Sequence, residues 1–208
     1  MVNVLQHSLL DVADQAALRP LDTVERTPLD LGAWVDLRPG WVLGADLLFE
    51  RLVREVPWRG ERRQMYDREV EVPRLLSFYA EQAPLPDPAL DDAREALSAH
   101  YAAELGEPFR TVGLCYYRDG RDSVAWHGDR IGRSRHDDTM VAIVSLGAVR
   151  QLALRPRGGG PARRFALGHG DLIVMGGSCQ RTWDHAVPKT ARAVGPRISV
   201  QFRVRGVR

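Results

Sequence analysis

The sequence is poor in cysteine, and its two cysteines lie far apart. Cys115 and Cys179 are the whole complement in 208 residues, and their separation suits neither a disulfide framework nor a cysteine zinc site. No apolar run reaches the length of a membrane span, and residues 1–20 carry acids where a signal segment would be basic and then apolar. These absences predict a cytoplasmic protein without membrane association, whose cysteines are reduced and buried.

Net charge is also nearly absent, since 29 basic and 27 acidic residues leave a formal charge of +2. This balance alone says little about a polyanionic partner. Residues 139–169, however, contain no acid, and five arginines bracket the Gly-Gly-Gly-Pro turn at 158–161: Arg150, Arg155, Arg157, Arg163 and Arg164. Two interpretations stay open, a basic surface for nucleic acid and a solvated arginine-rich hairpin without a ligand.

Length and composition favour one soluble domain that spans residues 1–208. Apolar residues make up 44% and charged residues 27%, a balance that excludes a disordered chain. Residues 1–40 are expected to form a short strand-bearing lead-in. Helical spacing of apolar residues predicts one helix over 44–57, and a second over about 87–105 that Asp87 caps. We expect the protein to be a monomer.

From Thr111 onward the chain changes to short β-rich segments separated by glycine, proline and aspartate turns. Their number predicts a β-sandwich or barrel. The segments cover 111–117, 123–129, 139–147, 150–155, 163–167, 171–176, 182–187 and 197–205. In the last segment apolar residues at even positions alternate with polar residues at odd positions. This period of two predicts a strand with one face against a hydrophobic core and the other against something polar.

A histidine and an aspartate, His127 and Asp129, lie two residues apart on a predicted strand, so both side chains should project from one face. His185, at the end of another predicted strand, is the best candidate for a third ligand. Two histidines and one carboxylate form the facial triad of non-haem iron enzymes. A histidine on a strand is more often hydrogen-bonded than metallated, so both interpretations stay open at this point. The other histidines are interpreted as structural or exposed: His7, His100, His136 and His169.

Arg197 and Arg203 strengthen the metal interpretation because they share the polar face of the last predicted strand. A dicarboxylate that chelates iron needs its distal carboxylate neutralised inside a polar cavity. A planar guanidinium does this with two parallel hydrogen bonds. A buried polar strand face beside a metal site therefore has an explanation that a solvated face lacks.

Seven stretches of the sequence, in their order and spacing, resemble the AlkB family of dioxygenases over roughly residues 62–205. They read YRDG at 117–120, DSVAWHGD at 122–129, SLG at 145–147, GDLIVMGG at 170–177, QRTWDH at 180–185, VPK at 187–189 and PRISVQFR at 196–203. Upstream, MY at 65–66 and VPRL at 72–75 resemble the substrate-side segment of that family. The resemblance implies a mainly β fold with flanking helices. We expect a double-stranded β-helix, or jelly roll, over 111–208, preceded by N-terminal helices and a nucleotide-recognition lid over 1–110.

The resemblance also implies an activity, the oxidative removal of N-alkyl groups from bases of alkylated DNA or RNA, as in alkylation repair. The cofactors would be Fe(II), 2-oxoglutarate and O2, and the products succinate, CO2 and formaldehyde. Iron would be bound by His127, Asp129 and His185. Tyr117 and Arg197 would contact 2-oxoglutarate, and Arg203 would act near its iron-bound end.

Three aromatic residues are candidates for contacts with the substrate base. Tyr66 or Tyr79 would stack on a base flipped into the pocket, and Trp126 lies beside an expected iron ligand. Two departures from the family pattern affect substrates. Cys115 replaces the usual asparagine two residues before the 2-oxoglutarate tyrosine, which predicts a missing amide hydrogen bond. Residues 130–133 read RIGR where better-studied members have acids that help to read the base, so base preference stays open.

Two rival hypotheses stay open beside this one. A non-catalytic module on the same jelly roll could bind nucleic-acid phosphates with the arginine-rich hairpin, and it would not turn over 2-oxoglutarate. Alternatively, the dioxygenase acts on a protein side chain or a small molecule, which predicts turnover without formaldehyde from alkylated nucleic acid. The sequence does not decide whether the substrate is DNA or RNA, or whether it is single- or double-stranded.

Overall fold

The computed structural model describes residues 15–65, 68–132, 134 and 136–207. The helices in these residues are α1 (Ala45–Glu55), α2 (Pro88–His100), α3 (Ala102–Leu105) and α4 (Cys179–Thr182). The strands before residue 110 are β1 (Ala17–Leu18), β2 (Glu25–Pro28), β3 (Ala33–Arg38), β4 (Val42–Leu43), β5 (Arg59–Met65) and β6 (Arg68–Tyr79). The later strands are β7 (Thr111–Tyr117), β8 (Val124–His127), β9 (Val141–Gly147), β10 (Arg150–Pro156), β11 (Arg163–Leu167), β12 (Asp171–Gly177), β13 (Trp183–Val187) and β14 (Arg197–Arg203). None of the described helices is long and apolar enough to cross a membrane.

Two antiparallel sheets face each other and contain most of the strands. The larger sheet has the order β2-β3-β12-β9-β14-β7-β6-β5, and the smaller has the order β11-β10-β13-β8. β14 lies in the middle of the larger sheet between β7 and β9, and β13 lies between β10 and β8 in the smaller one. The two inner strands, β14 and β13, therefore present residues to the space between the sheets.

Two hydrophobic clusters lie on opposite faces of the larger sheet. The first contains the apolar residues of β14, such as Phe202, and packs that face against α1 and α2. The second fills the space between the two sheets and includes Leu152 of β10. The alternation predicted for the last strand is confirmed, because its polar residues point away from the helices. Their face is enclosed, with Arg197 exposed by 1% and Ser199 by 2%.

Both predicted helices form, and their local sequence explains where they begin. α1 buries its apolar stripe against the first cluster. Asp87 caps α2 by accepting a hydrogen bond from the backbone N–H of Ala89 at 2.8 Å. The second helix is nevertheless interrupted, so the prediction of one continuous helix was wrong. Tyr101 leaves helical geometry at φ −97° and ψ 10°, and its buried hydroxyl donates to Asp36 at 3.0 Å.

The N-terminal half contains more β-structure than predicted. β5 and β6 form an antiparallel hairpin that extends the larger sheet through β7. β3 of the lead-in joins the same sheet through β12. Residues 59–65 are mostly polar and lack apolar alternation, so sequence patterning did not indicate the hairpin. The expected mainly β fold with flanking helices is confirmed.

Candidate metal centre and co-substrate pocket

Three side chains converge between the two sheets, those of His127, Asp129 and His185. Their ligand atoms all lie within 4.8 Å of one another, and Nε2 of His127 is 3.5 Å from Oδ1 of Asp129. The imidazole ring centroids are 4.2 Å apart. A single metal ion can contact all three groups at this spacing. Two imidazole nitrogens and one carboxylate oxygen are the donor set of a facial iron site, so the residues fit Fe(II).

The two histidines lie directly opposite each other in the smaller sheet. β8 pairs with β13 so that His127 faces His185, and the next pair joins Val124 to Val187. Between these two pairs β8 advances by three residues, whereas β13 advances by two. This β-bulge turns both Val124 and His127 towards the cavity. Nδ1 of His127 lies 2.9 Å from the backbone carbonyl of Ala125, and a proton there leaves Nε2 free to bind metal.

Asp129 reaches the site by a route that differs from the predicted one. β8 ends at His127, so the aspartate follows the strand and does not share its face. Gly128 lets the chain pack closely there, because a Cβ at this position would lie 2.7 Å from Nη2 of Arg157 and from the backbone oxygen of Gln180. The side-chain oxygen of Gln180 accepts a hydrogen bond from the Asp129 N–H at 3.0 Å. A closely packed segment beyond the strand, and not strand alternation, therefore supplies the carboxylate.

The charges at the triad favour the protonation states that bind metal. Burial alone would raise the pKa of Asp129, but attraction to Arg203, His185 and His127 lowers it to about 2. Nε of Arg203 donates to Oδ2 of Asp129 at 2.7 Å. Burial, followed by repulsion from His127, lowers the pKa of His185 to about 3. An ionised carboxylate and a neutral imidazole are the forms that ligate a divalent cation.

Arg197 lies at the other end of β14 from Arg203 and is exposed by only 1%. Its Nε donates to Oγ of Ser145 at 2.8 Å, whereas its Nη1 is buried and has no hydrogen-bond partner among the described residues. Burial lowers the pKa of this guanidinium. A buried cationic N–H without a partner is costly unless a ligand satisfies it. The arrangement fits a carboxylate of a small ligand that reaches from Arg197 to the metal triad.

Tyr117 lies beside Arg197, as the co-substrate prediction requires. The two residues are paired across β7 and β14, and the guanidinium carbon is 5.3 Å from the ring centroid. Burial raises the pKa of the Tyr117 phenol well above its ordinary value. The hydroxyl therefore stays protonated and can donate a hydrogen bond to a ligand in the cavity.

Three polar residues that sequence reasoning missed line the same cavity: Arg74, Ser199 and Gln201. The last two lie on the polar face of β14, so strand alternation could have placed them. Arg74 enters from β6. Its Nη1 donates to the Ser123 carbonyl at 3.1 Å, and its buried Nε has no partner within the described part of the chain. Only its place in the VPRL segment could have indicated it.

Of the three aromatic residues predicted to contact a base, the two that the structure describes do not line the cavity. Tyr66 lies outside the described residues. Tyr79 is partly buried and packs against the helix-side cluster. The ring of Trp126 lies under Arg155, whose guanidinium carbon is 4.3 Å from the ring centroid. Because the bulge in β8 turns His127 inwards, Trp126 faces the outside of the smaller sheet.

The arginine-rich hairpin is only partly a basic surface. Arg157 is paired with Asp184 at 3.0 Å. Arg150 is exposed by 4%, and its guanidinium donates to three backbone carbonyls, those of Asp119, Asp122 and Pro188. Arg150 is therefore buried away from any basic surface, and the charge of Arg157 is balanced by a carboxylate, so neither of the two open interpretations applies to all five arginines. Arg163 and Arg164 are exposed and stay candidates for phosphate contacts.

Three other histidines are described, and they are structural or exposed, as predicted. Nδ1 of His169 accepts a hydrogen bond from a backbone N–H at 2.7 Å. His100 packs edge-on against a tyrosine ring, and His136 is exposed. His7 lies outside the described residues. Both cysteines are free and buried, which confirms that prediction.

Comparison with known families identifies the superfamily of this chain. The model of the 2OG-Fe(II) oxygenase superfamily matches residues 44–203. The chain belongs to this superfamily. Membership implies Fe(II), 2-oxoglutarate and O2 as cofactors, which agrees with the donor set of the triad.

Known relatives place this 2OG-Fe(II) oxygenase beside the AlkB family, which confirms the resemblance. It is 32% identical over 190 residues to the bovine alpha-ketoglutarate-dependent dioxygenase alkB homolog 3, a match that covers 81% of this chain and 65% of the relative. It is 29% identical over 182 residues to the human DNA oxidative demethylase ALKBH2, a match that covers 76% of this chain and 68% of the relative. The chain thus spans slightly less than two thirds of the length of the bovine relative.

Solved structures support the fold of the oxygenase. A 2OG-Fe(II) oxygenase family oxidoreductase from Burkholderia pseudomallei has a TM-score of 0.57 and 14% identity, covering 84% of this chain and 85% of that one. The structure of OsALKBH1 has a TM-score of 0.58 and 15% identity, and the match covers 86% of this chain and 100% of that one. At these identities the likeness concerns the fold alone, and it agrees with the expected jelly-roll core.

Proposed function

We propose that this oxygenase uses Fe(II), 2-oxoglutarate and O2 to remove N-alkyl groups from nucleic-acid bases. One observation carries the proposal. Both histidines of a triad of two histidines and one carboxylate line the same cavity as a buried arginine whose Nη1 lacks a partner among the described residues. The triad suits a divalent iron, and the arginine suits the far carboxylate of a dicarboxylate co-substrate.

Each residue of the site has a physical role in this proposal. The triad would hold iron(II) through two imidazole nitrogens and one carboxylate oxygen. Arg197 anchors the distal carboxylate of 2-oxoglutarate, and the Tyr117 hydroxyl donates to the same co-substrate. Arg203 holds the Asp129 carboxylate through its 2.7 Å hydrogen bond and balances its charge. The larger sheet thus fixes the co-substrate, while most of the iron ligands come from the smaller sheet.

Apolar side chains complete the lining of the cavity. Val124, Ile143, Leu152 and Val187 come from both sheets. Burial beside these side chains strengthens the electrostatic contacts of a bound co-substrate. The bound iron centre supplies oxidation of a C–H bond, coupled to conversion of 2-oxoglutarate to succinate and CO2. Hydroxylation of an N-methyl carbon gives a hemiaminal, which releases formaldehyde and restores the base.

Support for a nucleic-acid substrate comes from two sources. Relatives are named as alkB homologues and as a DNA oxidative demethylase. The exposed Arg163 and Arg164 offer cationic groups for phosphate. Arg74 enters the cavity from the β5–β6 hairpin, within the N-terminal region where base recognition was predicted. Its Nε is available to an acceptor on the substrate.

The test is formaldehyde release from single-stranded DNA and RNA oligonucleotides that carry N-methylated bases. Fe(II), ascorbate and 2-oxoglutarate are supplied, and succinate is measured in the same samples. The proposal predicts formaldehyde from at least one methylated oligonucleotide and none above background from unmethylated matches. Omission of 2-oxoglutarate should abolish the signal.

Two other results would assign the protein differently. Succinate formation without formaldehyde from any oligonucleotide would favour a protein or small-molecule substrate. Binding of oligonucleotides without any 2-oxoglutarate turnover by iron-loaded protein would favour the non-catalytic module.

A further inference from the structure

Gln201 lies on the cavity face of β14, between the two arginines of the site. It pairs across the sheet with Gly113 of β7. A Cβ at Gly113 would lie 2.8 Å from Nη1 of Arg203 and 3.4 Å from Oε1 of Gln201. The absence of a side chain at Gly113 therefore leaves room for the side chains of Arg203 and Gln201.

The two ends of the Gln201 amide have unequal partners. Oε1 accepts a hydrogen bond from Nη2 of Arg203 at 2.8 Å, which is a strong charge-assisted contact. Nε2 lies 3.1 Å from Oγ of Ser199 and 3.2 Å from Sγ of Cys115. Sulfur is a weak acceptor, so one of the two N–H groups is poorly satisfied. That N–H belongs to the same cavity as the unpaired Nη1 of Arg197.

Cys115 lies where the family usually has an asparagine, and the sequence alone predicted a missing hydrogen bond to 2-oxoglutarate. The structure shows another amide beside that position, since Nε2 of Gln201 is 3.2 Å from Sγ of Cys115. An asparagine side chain extends further than a cysteine side chain from the same backbone. Its amide would therefore enter the space that the Gln201 amide occupies.

We propose that Gln201 is a 2-oxoglutarate-binding residue that replaces the absent asparagine amide. Its Nε2 exchanges the weak contact with the Cys115 thiol for a hydrogen bond to a carboxylate of the co-substrate. Its Oε1 remains on Arg203, which orients the amide. Cys115 and Gln201 thus compensate for each other. The affinity for 2-oxoglutarate is retained although Cys115 replaces the family asparagine. The inference rests on the proposed use of 2-oxoglutarate.

The experiment measures 2-oxoglutarate binding by calorimetry on Mn(II)-loaded protein without oxygen, so that no turnover occurs. Four proteins are compared: wild type, Gln201→Ala, Cys115→Asn and the double variant. A hydrogen bond to a charged group predicts that Gln201→Ala weakens binding about tenfold or more. Cys115→Asn alone should bring no gain, because the amide is already supplied. The double variant should return to within about threefold of wild type.

A second variant separates co-substrate binding from a merely structural role through Arg203. Gln201→Glu keeps an acceptor for Arg203 but removes the N–H donor and places a negative charge near the co-substrate. It should weaken 2-oxoglutarate binding at least as much as Gln201→Ala, while the affinity for Mn(II) stays close to wild type. A structural role would instead lower Mn(II) affinity in Gln201→Ala and restore both affinities in Gln201→Glu.

The outcomes distinguish this inference from the function on which it rests. Absence of 2-oxoglutarate binding by Mn(II)-loaded wild type would contradict the proposed function. If wild type binds but Gln201→Ala binds equally well, Gln201 has no role in binding. If Cys115→Asn tightens wild-type binding, or fails to rescue Gln201→Ala, the compensation is refuted.

Discussion

Replacing Arg197 by methionine should separate co-substrate binding from folding. The side chain is exposed by 1% and its Nε donates to Ser145, while its Nη1 has no partner among the described residues. Loss of a charge-assisted contact with the distal carboxylate costs about 1.5–3 kcal/mol. The affinity for 2-oxoglutarate should therefore fall roughly 10- to 100-fold.

The stability of the variant without co-substrate should change little. Arg197→Met removes a buried cation and its unpaired N–H, which favours the folded state, but it leaves the Ser145 hydroxyl without its donor. These contributions oppose each other and are each about 1–3 kcal/mol. We therefore expect the free energy of unfolding to stay within about 1 kcal/mol of wild type, the difference between two comparable effects.

The assay is thermal unfolding of Mn(II)-loaded protein with and without 2-oxoglutarate. At a concentration of 100 times the wild-type Kd, the ligand stabilises wild type by about 2.7 kcal/mol, whereas a 100-fold weaker variant gains only about 0.4 kcal/mol. For a domain of this size the wild-type gain corresponds to about 5–10 °C in Tm.

Arg150→Met is the matched control, because that buried arginine donates to three backbone carbonyls. Its loss leaves those oxygens unsatisfied and should cost several kcal/mol without ligand, at roughly 1–3 kcal/mol for each buried group. If Arg197→Met loses as much stability as Arg150→Met, or keeps the full shift with 2-oxoglutarate, Arg197 is a structural residue.

Two further predictions concern Gly128, which precedes the iron ligand Asp129, and the arginine-rich hairpin. Gly128→Ala should destabilise the protein by about 1–3 kcal/mol and weaken Mn(II) binding, because the added Cβ meets the Gln180 carbonyl at 2.7 Å. Gly158→Ala, which meets nothing within 4 Å, is the control in chemical denaturation. An equal loss of stability in the two variants would contradict the role of close packing at Gly128. Neutralising Arg163 and Arg164 together should weaken binding of a short methylated oligonucleotide and flatten its log–log salt dependence, by about 0.7 for each lost phosphate contact on a single strand. A slope equal to that of wild type over a salt series would leave the hairpin as a solvated loop.

The features that the sequence predicted well are those with local causes. Period-two alternation identified the cavity face of β14 and its two arginines, because successive strand residues must point to opposite sides. The cap at Asp87 identified the start of α2, because its carboxylate satisfies a backbone N–H two residues ahead. The meeting of His127 with His185 has no such local cause, because it depends on the pairing of β8 with β13.

The features that the sequence did not predict depend on contacts between distant segments. Arg150 is buried because carbonyls from 119, 122 and 188 surround its guanidinium. Asp129 lies beyond its strand, on a segment where Gly128 packs closely against the Gln180 carbonyl of α4. The β-bulge in β8 lets Val124 face the cavity together with His127, and no residue pattern in that segment indicates it. The pairing of Gln201 with Cys115 likewise requires the register of two strands that are far apart in sequence.

The central claim is that His127, Asp129 and His185 together hold the iron at which 2-oxoglutarate is converted. The direct measurement is CO2 release from 2-oxoglutarate by Fe(II)-loaded protein, for each single alanine variant and for His100→Ala as an exposed histidine control. The account predicts that all three triad variants lose turnover, because a facial site that lacks one ligand loses metal affinity and geometry, and that the control keeps it. Turnover near the wild-type rate in any one triad variant would contradict the assigned iron site.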